Sequence, residues 1–309
     1  MEASNCTSQL TNDPEVLATN PVQDRSPRFL ELSENKLPTD RALGVTWDAQ
    51  EDLFRFNALR KEPATTKRTV LSQAFSVWDP RELLLPFSIR SKIILQNLNR
   101  LKYGWDDELK EADLREWREW FKESELLETV EIPRVLFSRN EPFRESNLHL
   151  FCNARQDAFG VCAYLRQEFE DNVVECRLVA GRGLVAPLKA QSICRLEIMR
   201  VLIAARLAET LEEEFMTKIE KISFWSDSTA VPHWIHQTSF NYKAFVGNRI
   251  SEIHTITSNL ETALEAGTVS WRYVPTGDIP ADDITWGLHP VELNVKHRYS
   301  AGPEFPYTE

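Results

Sequence analysis

The stretch from residue 148 to residue 215 most constrains what this chain can fold into. Three apolar runs follow one another there: LHLFCNA (148–154), AFGVCAYLR (158–166) and VVECRLVA (173–180). The breaks between them are short and polar. A parallel return needs a crossover of about a dozen residues or more, so the three runs are expected to pair antiparallel. A helical pattern then covers 192–215, with Leu196, Met199, Ile203, Leu207 and Leu211 on one stripe and Ser192 placed to cap it. Beyond it come a strand at 221–226 (KISFWS), helical stretches at about 229–237 and 243–262, and a strand at 268–274 (TVSWRYV). The order βββαβαβ specifies an α/β fold, a mixed five-stranded sheet with flanking helices. There is no internal repeat.

Upstream the pattern differs. Residues 1–40 are rich in Asn, Asp, Ser, Thr and Pro and read as mostly irregular. The apolar runs 42–47 and 53–57 flank the polar DAQED and predict a β-hairpin. Residues 64–130 read as helical. Thr66 or Thr69 is placed to cap a first helix, and Pro80 and Pro86 bound a loop. Ile89, Ile93, Leu98 and Leu101 then share roughly one face. In the next helix Leu109, Leu114, Trp117 and Phe121 recur at helical spacing. Its tryptophans are expected in a core rather than stacked on bases. Residues 132–147, with Pro133 and Pro142, read as a linker, and 291–309 as a C-terminal tail.

A length of 309 residues accommodates two domains, or one with a large extension. No run of about 18 apolar residues occurs, which argues against a membrane span. The first residues lack the basic start and apolar core of a signal peptide, and five cysteines without paired spacing fit a reducing, intracellular setting, cytoplasm or nucleus. No CxxC pair points to structural zinc. The net charge of −11 is adverse to phosphate binding. Basic and acidic residues nearly balance over 64–130, and acids outnumber bases over 148–290. Neither segment offers a strong nucleic-acid surface.

Four positions at strand ends and helix starts carry the chemistry: Asn153 after the first strand, Glu197 early in the long helix, Asp227 after the fourth strand and Asp282 after the fifth. Two-metal nucleases need several carboxylates around paired Mg²⁺ ions. Spacing alone is weak evidence in a chain with 47 acids. The local sequences are more specific. ALGVTWDAQEDLFRF, TKRTVLSQAFSVWDPRELLLPF and KYGWDDEL resemble the region after the palm of BEL/Pao retrotransposon reverse transcriptases. HLFCNARQDAFGVCAYLR, LVAPLKAQSICRLEIMR, ISFWSDSTAVPHWI, KAFVGNRISEI and WRYVPTGDIPADDITWG resemble the ribonuclease H-like region that follows it. The same region is also classed as the Pao retrotransposon peptidase family. The resemblance covers about residues 41–290. It implies a polyprotein fragment with the end of the reverse transcriptase over 41–131 and a ribonuclease H-like domain over 148–290. It also implies an ancestral Mg²⁺ site of Glu197, Asp227 and Asp282, with Asn153 standing where the family has Asp.

Departures accompany the match. The family's DPLG block is Asp79-Pro80-Arg81-Glu82 here, the Pro before Arg-Leu-Glu is Cys194, and the closing block is Ile279-Pro280-Ala281-Asp282 followed by Thr285-Trp286-Gly287. No Tyr-x-Asp-Asp polymerase motif occurs, nor an Asp-Ser-Gly or Asp-Thr-Gly of an aspartic protease. Asp157 and His289 are further candidates for the site, while Cys152 and Cys162 on strands are expected to be buried and inert. The expectation is a degenerate ribonuclease H-like domain without hybrid-cleaving activity, whose binding of an RNA–DNA hybrid and of Mg²⁺ is weak or lost. If only this position has decayed, Asn153→Asp would restore Mg²⁺ binding and some cleavage. Two alternatives stay open: an active Mg²⁺-dependent endoribonuclease, and a non-enzymatic protein-interaction scaffold using the helical segment.

Overall fold

The computed structural model describes residues 39–304, apart from 43, 44, 61, 138, 140, 141, 216, 238–240 and 266. The segment expected to be irregular, 1–40, lies outside the described residues except for its last two. The hairpin is present as β2 (Val45–Asp48) and β3 (Leu53–Arg55), paired antiparallel. It belongs to a four-stranded sheet, flanked by β1 (Thr39–Ala42) and by β4 (Glu131–Pro133), which pairs with β3. The segment read as a linker therefore begins as a strand.

Three helices lie between β3 and β4. In α1 (Lys67–Ala74) Thr66 is the cap, and the Thr66 and Thr69 side chains reciprocally bond each other's backbone N–H. In α2 (Leu85–Arg100) the first turn holds Pro86, and the Asp79 carboxylate accepts from the Leu83 and Leu84 amides at 2.9 and 2.6 Å. The third, α3 (Glu111–Glu123), buries Leu114, Trp117, Trp120 and Phe121. Both tryptophans are core residues: Trp120 stacks on Phe87 at 4.9 Å and donates to its carbonyl.

The large sheet comprises β5 (Phe143–Ala154), β6 (Ala158–Phe169), β7 (Val174–Val185), β8 (Lys221–Ser226) and β9 (Thr268–Tyr273). Their spatial order is β7-β6-β5-β8-β9, with β5–β6–β7 antiparallel and β5–β8–β9 parallel. This is the expected mixed five-stranded α/β sheet. The crossovers run through α4 (Ile193–Glu214), and through α5 (Ala230–His236) and α6 (Ala244–Ala263). After β9 come α7 (Ala281–Trp286) and α8 (Arg298–Ala301).

Both faces of the sheet are covered, so its central strands are buried continuously rather than alternately. On one face Leu148, Leu150 and Cys152 of β5 and Val161 and Ala163 of β6 pack under α4 and α6. The other face, with Phe151, Cys162 and Tyr164, packs against residues of α2, α3, α7 and Tyr299 of α8. Three glycines permit that second layer. A Cβ on Gly160 would lie 2.6 Å from Ile284 of α7, one on Gly183 would lie 2.7 Å from Leu85, and one on Gly181 would lie 2.7 Å from the Glu82 carbonyl. Polar ties reinforce it: Arg81 donates to the Val179 carbonyl, Gly183 N–H to Glu82, and Tyr299 Oη to the Glu82 carbonyl. The C-terminal tail is thus part of the packed structure up to residue 304.

Candidate functional site

The site forms where the C-terminal ends of the parallel strands β5 and β8 meet the starts of α4 and α7, the usual location of ligand sites in such sheets. Asn153 is the penultimate residue of β5, and Asp227 directly follows β8. Glu197 sits in the second turn of α4, and Asp282 in the first turn of α7. Gly160 lets α7 lie close on β6, which carries Asp282 to the strand end.

Hydrogen bonds connect these side chains. Asn153 is 4 % exposed, and its Nδ2 donates to Asp282 Oδ1 at 2.7 Å. Its Oδ1 accepts from the Ala154 amide at 2.7 Å and from Arg200 Nη1 at 3.1 Å. Amide orientation is fixed by partners. A backbone N–H and a guanidinium can only donate, so the oxygen must face them and the NH₂ must face Asp282. Thr285 Oγ1 also donates to Asp282 Oδ1, at 3.4 Å. Asp227 Oδ2 accepts from Thr276 Oγ1 at 3.3 Å, and Glu197 Oε2 from Ser228 Oγ at 3.2 Å.

Arg200, which the sequence reading did not single out, lies at the centre. It is three residues beyond Glu197 and therefore on the same side of α4, and it is 1 % exposed. Nη1 donates to Asp227 Oδ1 at 3.0 Å, to Asn153 Oδ1 at 3.1 Å and to the Cys152 carbonyl at 3.2 Å. Nη2 donates to Ser226 Oγ at 3.0 Å. The available signal was a basic residue inside the apolar run IMRVLIAA.

The donor set does not fit a divalent cation. Mg²⁺ exchanges its water shell only for well-placed carboxylate oxygens. Here one oxygen of Asp227 faces a guanidinium and the other a hydroxyl, Asp282 faces an amide NH₂, and Asn153 is neutral. Among the described residues no group of three or more His, Cys, Asp or Glu side chains is placed to hold a metal ion.

Asp157 and His289 lie apart from this cluster. Asp157 pairs with Arg100 at 3.2 Å beyond the end of β5. His289 caps the turn Pro290–Glu292. Cys152 and Cys162 are fully buried, and burial pushes the Cys152 thiol up to about 11 and that of Cys162 higher still. Asp283, beside Asp282, is a structural carboxylate: it is buried and takes both ends of the Arg298 guanidinium, at 2.6 and 2.9 Å.

Residues 66–228 match the family described as the Pao retrotransposon-like RNaseH-like domain. Similar solved structures include ribonuclease H1 of Halobacterium salinarum, at 12% identity over 43% of this chain and 88% of that one, TM-score 0.26. LC11-RNase H1, solved in complex with an RNA/DNA hybrid, aligns at 8% identity over 45% and 93%, TM-score 0.30. The foamy viral protease-reverse transcriptase, in complex with dsDNA, aligns at 13% identity over 75% and 44%, TM-score 0.26. At these scores the likeness adds nothing to the strand order already described. No curated protein matches the chain.

Proposed function

Because the chain belongs to the Pao retrotransposon-like RNaseH-like family, we propose that it is a fragment of a retrotransposon polyprotein whose ribonuclease H-like domain, residues 148–290, no longer cleaves RNA–DNA hybrids. Residues 41–131 are the end of the reverse transcriptase. Glu197, Asp227 and Asp282 are the ancestral Mg²⁺ ligands, and Asn153 replaces the fourth carboxylate. The observation that carries this reading is the direction of the Asn153 amide. Its NH₂ meets Asp282 at 2.7 Å and its oxygen is already engaged twice. A position that served an anion toward a metal now presents a hydrogen-bond donor to a neighbouring carboxylate. Charge supports the reading too: with a net of −11, hybrid binding is weak and salt-sensitive. The buried cysteines Cys152 and Cys162 form no disulfide, which suits a reducing, intracellular compartment.

The test is a cleavage assay of the purified chain on an RNA–DNA hybrid with Mg²⁺ or Mn²⁺. Removing the electrostatic stabilisation of the phosphate transition state costs on the order of a thousandfold or more in rate. No cleavage above the protein-free control is therefore expected, and Asp227→Asn should change nothing. A wild-type rate that Asp227→Asn abolishes would establish a live nuclease instead.

A further inference from the structure

We infer that Arg200 is a resident cation: its guanidinium occupies the oxygen cradle at the ends of β5 and β8 and closes that cradle to divalent metal ions. The inference builds on the reading of Asn153, Glu197, Asp227 and Asp282 as a former metal cluster, but its test reads metal binding and stability, not cleavage.

Four oxygens converge on the guanidinium from two neighbouring parallel strands: the Cys152 carbonyl and Asn153 Oδ1 from β5, Ser226 Oγ and Asp227 Oδ1 from the end of β8. A cradle of oxygens with a carboxylate is what a hard cation requires. Arginine stays charged in any protein environment, and a charge this deeply buried is tolerated only when paired and hydrogen-bonded. Arg200 rises from an otherwise apolar part of α4, between Met199 and Val201. Asp227, at 3.0 Å, is its ion-pair partner. With Asn at 153, one positive charge balances one negative charge. Restoring Asp at 153 alone would give the guanidinium a second carboxylate and leave no room for a metal. The loss of the first carboxylate and the presence of Arg200 are therefore two halves of one exchange, and both must be undone to recover a metal site.

Mn²⁺ binding to the full chain, followed by loss of the free-ion paramagnetic resonance signal and by the melting temperature with and without Mn²⁺, decides this. Wild type and Asn153→Asp are expected to show neither uptake nor a shift. Asn153→Asp combined with Arg200→Met, which keeps an apolar stem on α4, is expected to bind Mn²⁺ at least about tenfold more tightly than Asn153→Asp, with a metal-dependent rise in melting temperature. Mn²⁺ binding by wild type, equal binding by Asn153→Asp and the double variant, or a folded double variant that binds none, overturns the inference. If the double variant does not fold, a double-mutant cycle decides. Asp227→Asn should lower the melting temperature of the wild type but have little effect in an Arg200→Met background. Equal losses in both backgrounds would show that Arg200 does not depend on the cradle.

Discussion

At the scale of single residues, two buried groups set opposing pH dependences. His149 is 3 % exposed on β5, and its Nδ1 accepts from Trp225 Nε1 at 3.1 Å. Burial, reinforced by Arg166, Arg272 and Lys221 against the lesser pull of Glu145, lowers its pKa to about 3. The unfolded chain then takes up the proton first. Stability is complete above about pH 6.5 and falls toward pH 3, by roughly 1.4 kcal/mol per pH unit at most. Asp79 has the opposite sign. Burial raises its carboxyl to about 6 despite two backbone N–H donors, so its contribution is complete below about pH 4 and is lost as pH rises through 6. Urea titrations between pH 4 and 6 should show His149→Gln flattening the acid loss by about 1 kcal/mol per pH unit and Asp79→Asn steepening it. An unchanged slope in His149→Gln would mean that the ring is protonated in the fold. Neither group stands out in the sequence, because burial of a titratable side chain depends on neighbours remote in the chain. Arg200 was hidden for the same reason. The three acids and Asn153 were legible through local motifs, whereas the pocket that accepts Arg200 comes from two strands that are far apart in sequence.

At the scale of elements, legibility followed hydrophobic periodicity. The order β5 to β9 and the extents of α4, β8 and α6 stood in the sequence within a few residues. The polar start of β5, from Phe143, did not, because residues Phe143 to Asn147 extend the strand by pairing with β6 and β8 rather than by apolar alternation. Nor did β4, whose partner β3 precedes three helices. The glycines on β6 and β7 also looked unremarkable. Gly181 carries a specific demand: a methyl there meets the backbone carbonyl of Glu82, which cannot rotate away. Glu82 itself sits at φ 53°, in the left-handed region, where the resembling family has glycine. Its carboxylate, bonded to Gly183 N–H at 2.8 Å, helps hold it there. Gly181→Ala is expected to destabilise by about 1–3 kcal/mol through overpacking between β7 and the turn before α2. Gly277, around which a Cβ would meet nothing within 4 Å, is the control: Gly277→Ala should stay within about 0.5 kcal/mol. Chemical denaturation of both variants checks this, and equal effects would show that α2 yields to the methyl group.

At the scale of the whole molecule, the sequence suggested two units joined by a linker, and their packing bears on how the chain folds. One apolar cluster runs from Phe56 through Leu84, Leu85, Phe87, Trp117 and Trp120 to Phe151, Cys162, Tyr164 and Tyr299. Leu85 and Phe87 of α2 are fully buried, and Gln96 at its far end donates to the Ala186 carbonyl beyond β7. The upstream helices therefore supply much of the cover on the second face of the sheet, beside α7 and Tyr299. Apolar area contributes about 25 cal/mol per Å² removed from water. Exposing several large side chains on that face therefore costs an amount comparable with the roughly 5–15 kcal/mol by which a domain is usually stable. The expected outcome is one cooperative thermal transition for the full chain, with the near-ultraviolet circular dichroism of the tryptophans in α3 and the fluorescence of Trp225 in β8 changing together. A fragment beginning at residue 142 should bind a hydrophobic dye and aggregate, and a separately added 39–141 segment should suppress both effects. A fragment that melts cooperatively on its own, at the temperature of the full chain, would show that the sheet needs only α4 and α6. The helical segment would then be free to serve another partner.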